Sequence, residues 1–222
     1  MVRQYKVAVF DLDGTILDTS EGVLASVQYT IDKFGFESLD AECLRSFIGP
    51  PIQDSFAKQY GLKGNVLQEI ATVFRNHYKD IDLLKAIPYE GIYDVFDDLS
   101  KNNVKPVIAT YKRQDYATTI LKHFGFDKYT DIMYGADHEN KLKKKDIIEK
   151  ALRDAGLTDF SSAVMIGDSD NDAVGAEKTG AAFIGVTYGF GFKSKSDVYK
   201  FNAIGVAEKP KEIIEIVLGR TQ

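Results

Sequence analysis

Residues 7–15 read Val7-Ala8-Val9-Phe10-Asp11-Leu12-Asp13-Gly14-Thr15. Four consecutive apolar residues with no polar alternation predict a strand buried on both faces, as in a parallel sheet. That strand runs straight into two acids. Side chains alternate along a strand, so Asp11 and Asp13 share a side, and Gly14 permits a sharp turn behind them. Carboxylates held this close repel unless a cation or a shared proton compensates. A hard divalent cation with oxygen ligands, Mg²⁺, is the natural partner. A plain solvated turn or a calcium loop is the competing reading. An EF-hand loop, however, places its glycine sixth, and Gly14 is fourth.

Moving outward, residues 104–109 (interrupted by Lys105-Pro106), 163–166 and Ala182–Val186 form further short apolar runs, and residues 203–206 form a weaker one. Helically spaced apolar residues lie between them: Ile92, Val95, Phe96 and Leu99; Tyr116, Ile120, Leu121 and Phe124; Ile147, Ile148, Ala151 and Leu152; and Ile213, Ile214 and Val217 after Pro210. Strands alternating with helices predict an α/β, Rossmann-like, doubly wound parallel sheet. Residues 20–84 break the alternation: helical patterns, a Gly49-Pro50-Pro51 breaker and no convincing strand. The expected organisation is a core of residues 1–17 and 86–222 with a helical insertion at 18–85.

In open α/β sheets, ligands bind at the carboxyl ends of strands. A second acidic run, Gly167-Asp168-Ser169-Asp170-Asn171-Asp172, follows the run at 163–166 and occupies such an end. Its alternate acids resemble a calcium loop, but Ala173 and Thr179 stand where a glycine and a bidentate glutamate are required. The helix macrodipole also favours acids at an N-terminus, which explains Asp170 better than Asp168. Thr110 ends the run at 104–109, where a hydroxyl beside backbone N–H groups can hold a phosphate oxygen or cap a helix. In the basic run Lys141-Leu142-Lys143-Lys144-Lys145, a solvated surface is the ordinary reading. One lysine reaching an anionic site is the functional alternative.

The 222 residues contain 28 Lys and Arg against 33 Asp and Glu, a net charge of −5. A mildly acidic chain is a poor candidate for nucleic acid or an anionic membrane. Cys43 is the single cysteine, so no internal disulfide forms. No export or membrane-length apolar segment is visible, so the expectation is cytoplasmic. Walker, dinucleotide-binding and nucleophile-elbow glycine patterns are absent. His77, His123 and His138 form no metal-spaced pair.

Asp11-Leu12-Asp13-Gly14-Thr15, Thr110, a lysine within 141–144 and Gly167-Asp168 with Asp172 occur in the order of the four motifs of the haloacid dehalogenase superfamily. The chain resembles that family over nearly its whole length. Ile48-Gly49-Pro50-Pro51-Ile52 and Pro88-Tyr89-Glu90-Gly91 are similar to its phosphoglycolate phosphatase-like branch, and the insertion resembles that family's α-helical cap. The second aspartate implies phosphoryl transfer rather than dehalogenation. The resemblance implies Asp11 as nucleophile and Asp13 as general acid and base. It implies Mg²⁺ held by Asp11, the Asp13 carbonyl and Asp168, supported by Asp172, with Thr110 and a lysine on the phosphoryl oxygens. The family's Lys-Pro-x-Pro form is missing: Lys141 matches it by spacing, and Lys144 matches a branch with a lone lysine, which is preferred. The expected enzyme is a Mg²⁺-dependent phosphatase of a small phosphorylated, phosphoglycolate-like metabolite, with cap residues near 49–53 contacting substrate. Rivals on the same scaffold are a pyrophosphate or nucleotide phosphatase, a sugar phosphomutase and a non-catalytic binder. No oligomeric state follows from the sequence, and a monomer is compatible with it.

Overall fold

The structure is a computed structural model and describes residues 5–138 and 141–220. It divides into two compact units. One is Asp18–Ile87, and the other joins the residues before it to those from Pro88 onward. The chain crosses between them within the two-residue strands β2 (Leu17–Asp18) and β3 (Ile87–Pro88).

The discontinuous unit is built on a six-stranded sheet. Its strands are β1 (Val7–Phe10), β4 (Lys105–Arg113), β5 (Met133–Ala136), β6 (Ala163–Gly167), β7 (Ala182–Val186) and β8 (Gly205–Ala207). They lie in the order β5-β4-β1-β6-β7-β8, and every pairing is parallel. β1 is central, with Phe10 level with Ile108 on one side and Ile166 on the other. Its four side chains are all buried, which is why the sequence carries no polar alternation there.

Helices α5 (Ile92–Lys101), α6 (Gln114–His123), α7 (Lys144–Asp154), α8 (Asp170–Thr179), the short α9 (Lys195–Val198) and α10 (Pro210–Val217) follow successive strands. Phe10 packs against Phe96 of α5 at 4.7 Å between ring centroids, and both are fully buried. Each such side chain contributes about 1.5–3 kcal/mol through burial. On the other face, Val9, Val107 and Met165 pack with Ile147, Ile148 and Ala151 of α7.

Three details depart from the sequence pattern. β4 runs on to Arg113 rather than stopping at Ala109. The weak run at 203–206 becomes β8 at Gly205–Ala207. β5 was not anticipated: Met133-Tyr134-Gly135-Ala136 is short, contains glycine and occupies a sheet edge.

The unit Asp18–Ile87 is helical: α1 (Ser20–Phe34), α2 (Ala41–Arg45), α3 (Ile52–Tyr60) and α4 (Val66–His77). Val27, Ile31, Phe47, Phe56, Ile70 and Phe74 are buried in it. The pattern expected to run helically to Leu84 changes at His77 into a π-helical turn, Tyr78–Asp82. Within this turn the buried Asp82 carboxylate meets Ser26 Oγ at 2.7 Å, Lys85 Nζ at 2.9 Å and His77 Nε2 at 3.2 Å. No helix among the described residues is long and apolar enough to cross a membrane.

Candidate active site

The carboxyl ends of β1, β4 and β6 bring the motif residues together. The Asp11 N–H donates to the Ile166 carbonyl at 3.0 Å, so the backbone is still in the sheet ladder at the first acid. The turn that follows is closed by the Leu12 carbonyl, which accepts from the N–H groups of Thr15, Ile16 and Leu17. Gly14 has φ +79°. A β-carbon there would also lie 2.3 Å from Asp168 Oδ2, so both conformation and space require glycine.

Asp11, Asp168 and Asp172 form one buried cluster, with a carboxylate oxygen from each lying within 4.8 Å of the others. Lys144 is the first residue of α7, and its side chain is only 3% exposed. Its Nζ lies 2.5 Å from Asp11 Oδ1 and 2.7 Å from Asp172 Oδ1. Gly175 on α8 makes room for the lysine stem, because a β-carbon there would lie 2.9 Å from Lys144 Cγ. Lys141, the alternative lysine, is exposed, and its backbone N–H donates to Asp137 Oδ1 at 3.1 Å.

Asp172 Oδ2 accepts from Ser169 Oγ at 2.7 Å and from the Ser169 N–H at 3.1 Å, forming a capping box at the start of α8. One carboxylate thus caps the helix and faces the lysine. Asp170, its exposed neighbour, accepts a local N–H from Asn171, in keeping with the macrodipole reading. Asp168 Oδ2 accepts from the N–H groups of Phe190 at 2.7 Å and Gly191 at 3.0 Å, and the Asp168 carbonyl accepts from the Phe192 N–H at 2.7 Å. The loop after β7 therefore clamps this carboxylate.

Burial is the main cause raising Asp11 to about 7; Lys144 opposes it, and Asp172, Asp168 and Asp13 add to it. Burial, then Asp172, raises Asp168 to about 6 against the two backbone N–H groups and Lys144. Burial alone would lower Lys144, but the charges of Asp11 and Asp172 outweigh it and hold it above its ordinary value. Among the described residues, this cluster sets three buried carboxylates around the single ammonium of Lys144. Its donors are all oxygen, the set that suits a hard divalent cation such as Mg²⁺. Asp11, Asp168 and Asp172 are the groups that could hold it.

Thr110 is buried, and its Oγ1 accepts from the Lys112 N–H at 3.1 Å. Asp13 is half-buried and pairs with Lys112 Nζ at 2.8 Å. The Tyr111 hydroxyl accepts the backbone N–H of Lys144 at 2.8 Å. Sequence reasoning missed Tyr111, Lys112 and the loop at 189–191. Two signals were present: Lys112 is two residues beyond Thr110, and the paired glycines Gly189 and Gly191 lie three and five residues beyond the end of β7.

Residues 8–186 match the family described as haloacid dehalogenase-like hydrolase. A 5′-nucleotidase of Pseudomonas aeruginosa is 33% identical over 189 residues, covering 85% of each chain. Pyrophosphatase PpaX of Halalkalibacterium halodurans is 27% identical over 96% of this chain and 97% of its own. Among solved structures, a predicted phosphatase from Clostridium acetobutylicum superposes with a TM-score of 0.87 at 31% identity, covering 97% of this chain and 99% of that one. With the acidic strand ends, the buried lysine and this match over most of its length, the chain belongs to the haloacid dehalogenase-like hydrolase family.

Proposed function

We propose that this protein is a Mg²⁺-dependent phosphatase of small phosphorylated compounds that works through a phosphoryl group carried on Asp11. The observation that carries the reading is the buried Asp11 carboxylate, held 2.5 Å from Lys144 Nζ within a cluster of three carboxylates able to hold a metal ion. Bound Mg²⁺ would supply charge neutralisation between the carboxylates and the phosphoryl oxygens.

The protein's own groups do the rest. An Asp11 oxygen attacks phosphorus, and the bond from phosphorus to the leaving oxygen breaks. Asp13 gives that oxygen its proton. The Asp13 carboxylate then takes a proton from water, whose oxygen attacks the phosphorus and releases inorganic phosphate and free Asp11. Thr110 and Lys144 hold the phosphoryl oxygens, a preorganised electrostatic role. Asp172 keeps Lys144 in place.

The test is phosphate release from a panel of phosphorylated compounds, with Mg²⁺ or EDTA, for wild type and Asp11→Asn. Metal-dependent release abolished by the substitution is expected. Release that persists both in EDTA and in Asp11→Asn would overturn the reading.

A further inference from the structure

β4 carries an irregularity beside the site. Ala109 pairs with Tyr134 and Arg113 with Ala136, so β4 advances four residues while β5 advances two. Residues 110–112 occupy this bulge, and bulges re-aim side chains next to active sites. The bulge is accommodated on both strands. Gln114 Oε1 accepts from the Gly135 N–H at 2.7 Å, and Gln114 Nε2 donates to the Met133 carbonyl at 2.9 Å. These bonds satisfy edge-strand groups that regular pairing would otherwise use. A β-carbon at Gly135 would lie 2.4 Å from the Lys112 carbonyl oxygen, so glycine is needed where the bulge presses on β5.

The bulge distributes three functions. Thr110 lies two residues past Ile108, the partner of Phe10 at the end of β1, Tyr111 receives the N–H of Lys144, and Lys112 reaches Asp13 with its side chain only 7% exposed. The next cation is committed elsewhere: Arg113 bonds both Asp115 oxygens at 2.6 Å and lies 3.9 Å over the Tyr116 ring. Of two successive cations, only Lys112 is directed at the site.

We propose that Lys112 is a specificity residue that selects a leaving group bearing its own negative charge close to the scissile oxygen. The inference rests on the phosphatase reading, in which Asp13 serves the leaving oxygen. A leaving oxygen hydrogen-bonded to Asp13 at about 2.8 Å is one carboxylate away from the Lys112 ammonium. A carboxylate or phosphate on the leaving group is then drawn to that ammonium. A neutral alcohol leaves the cation no new partner, and its selectivity is lost. The shared chemistry is an anion one or two bonds beyond the scissile oxygen, as in 2-phosphoglycolate or pyrophosphate.

The experiment compares kcat/KM in two matched pairs: 2-phosphoglycolate against 2-hydroxyethyl phosphate, and pyrophosphate against methyl phosphate. Wild type should prefer the anionic member of at least one pair, and the pair that responds identifies the anion. In Lys112→Met all rates fall through Asp13, but the anionic-to-neutral ratio should collapse about 10- to 100-fold. Lys112→Arg should retain the preference, and it keeps the test decisive if the methionine variant is unfolded by circular dichroism. Loss of rate with an unchanged ratio would overturn the proposal and leave Lys112 as a positioning residue for Asp13. Wild-type preference for both neutral members would also overturn it while the phosphatase reading stands. Undiminished turnover by Asp11→Asn would instead sink the reading beneath it.

Discussion

Lys144 Nζ lies 2.5 Å from Asp11 Oδ1, and the lysine side chain is 3% exposed. The Asp11 side chain is only 10% exposed, so neither charge is well solvated. Removing the ammonium leaves Asp11 and Asp172 as adjacent buried carboxylates, the uncompensated arrangement that is costly in a protein interior. Lys144→Met should therefore lower the stability of the metal-free protein by about 3 kcal/mol at neutral pH. It should also cut kcat by about 10²- to 10³-fold, as loss of an electrostatic donor does. Lys144→Arg should not rescue activity, because a planar fork does not fit a slot shaped for a single point charge. Urea melts and steady-state rates check both effects. The equivalent change at exposed Lys141 should alter neither by more than about 0.5 kcal/mol or twofold.

The raised carboxylates set a pH dependence with a definite sign. In the metal-free protein, Asp11 sits at about 7 and Asp168 at about 6, each raised from 3.8 chiefly by burial. Between about pH 4 and 7 the native state holds protons that the unfolded chain has released. Stability of the EDTA-treated protein should therefore fall as pH rises through that window. Divalent cation binding displaces those protons, so the stabilisation given by Mg²⁺ should grow with pH. Thermal melts at about pH 5 and pH 7.5, with EDTA or Mg²⁺, check this. An equal Mg²⁺-induced rise in Tm at both values would contradict it.

The parts of this molecule that were legible in the sequence are those where two independent signals coincide. Asp11 directly follows a run of apolar residues, and Asp168 follows another after the single Gly167, so strand and strand end are read together. The bulge at 110–112 has no such signature. A period-two reading continues through Thr110, Tyr111 and Lys112 without showing that β5 advances only two residues beside four. The choice between Lys141 and Lys144 was open because spacing along the chain does not say which lysine opens α7 against Gly175. β5 escaped notice because four residues with a glycine at a sheet edge carry little hydrophobic pattern.

The helical unit offers a test independent of catalysis. Burial would raise Asp82, but hydrogen bonds from Ser26 and Lys85, with the charges of Lys85 and His77, outweigh it and hold it below its ordinary value. Its stabilising contribution is therefore present above the unfolded carboxylate range and is lost as pH falls through the lower folded pKa. Asp82→Ala should destabilise the protein by about 2–3 kcal/mol, the cost of losing charge-assisted hydrogen bonds to a buried group. The check is a denaturant melt at neutral pH and at about pH 3, and the difference between variant and wild type should shrink at the lower value.

Asp168 gives the sharpest separation between a local strain and a functional effect. Gly189 brings the loop after β7 so close that a β-carbon there would lie 2.2 Å from the Gly14 carbonyl oxygen and 2.6 Å from Asp168 Oδ2. Gly189→Ala must displace the very carboxylate that accepts from Phe190 and Gly191. With Asp168 as the proposed metal ligand, loss of such a support costs about 10- to 100-fold in metal affinity. The Mg²⁺ concentration for half-maximal activity should rise by that factor, while kcat at saturating Mg²⁺ falls less. Gly156→Ala is the control. Its φ is +90° with no neighbour for a new β-carbon, so it should cost about 1 kcal/mol of stability and leave the Mg²⁺ requirement unchanged. If the two variants shift Mg²⁺ dependence equally, the loop at 189–191 is ordinary scaffold and not the support of the metal ligand.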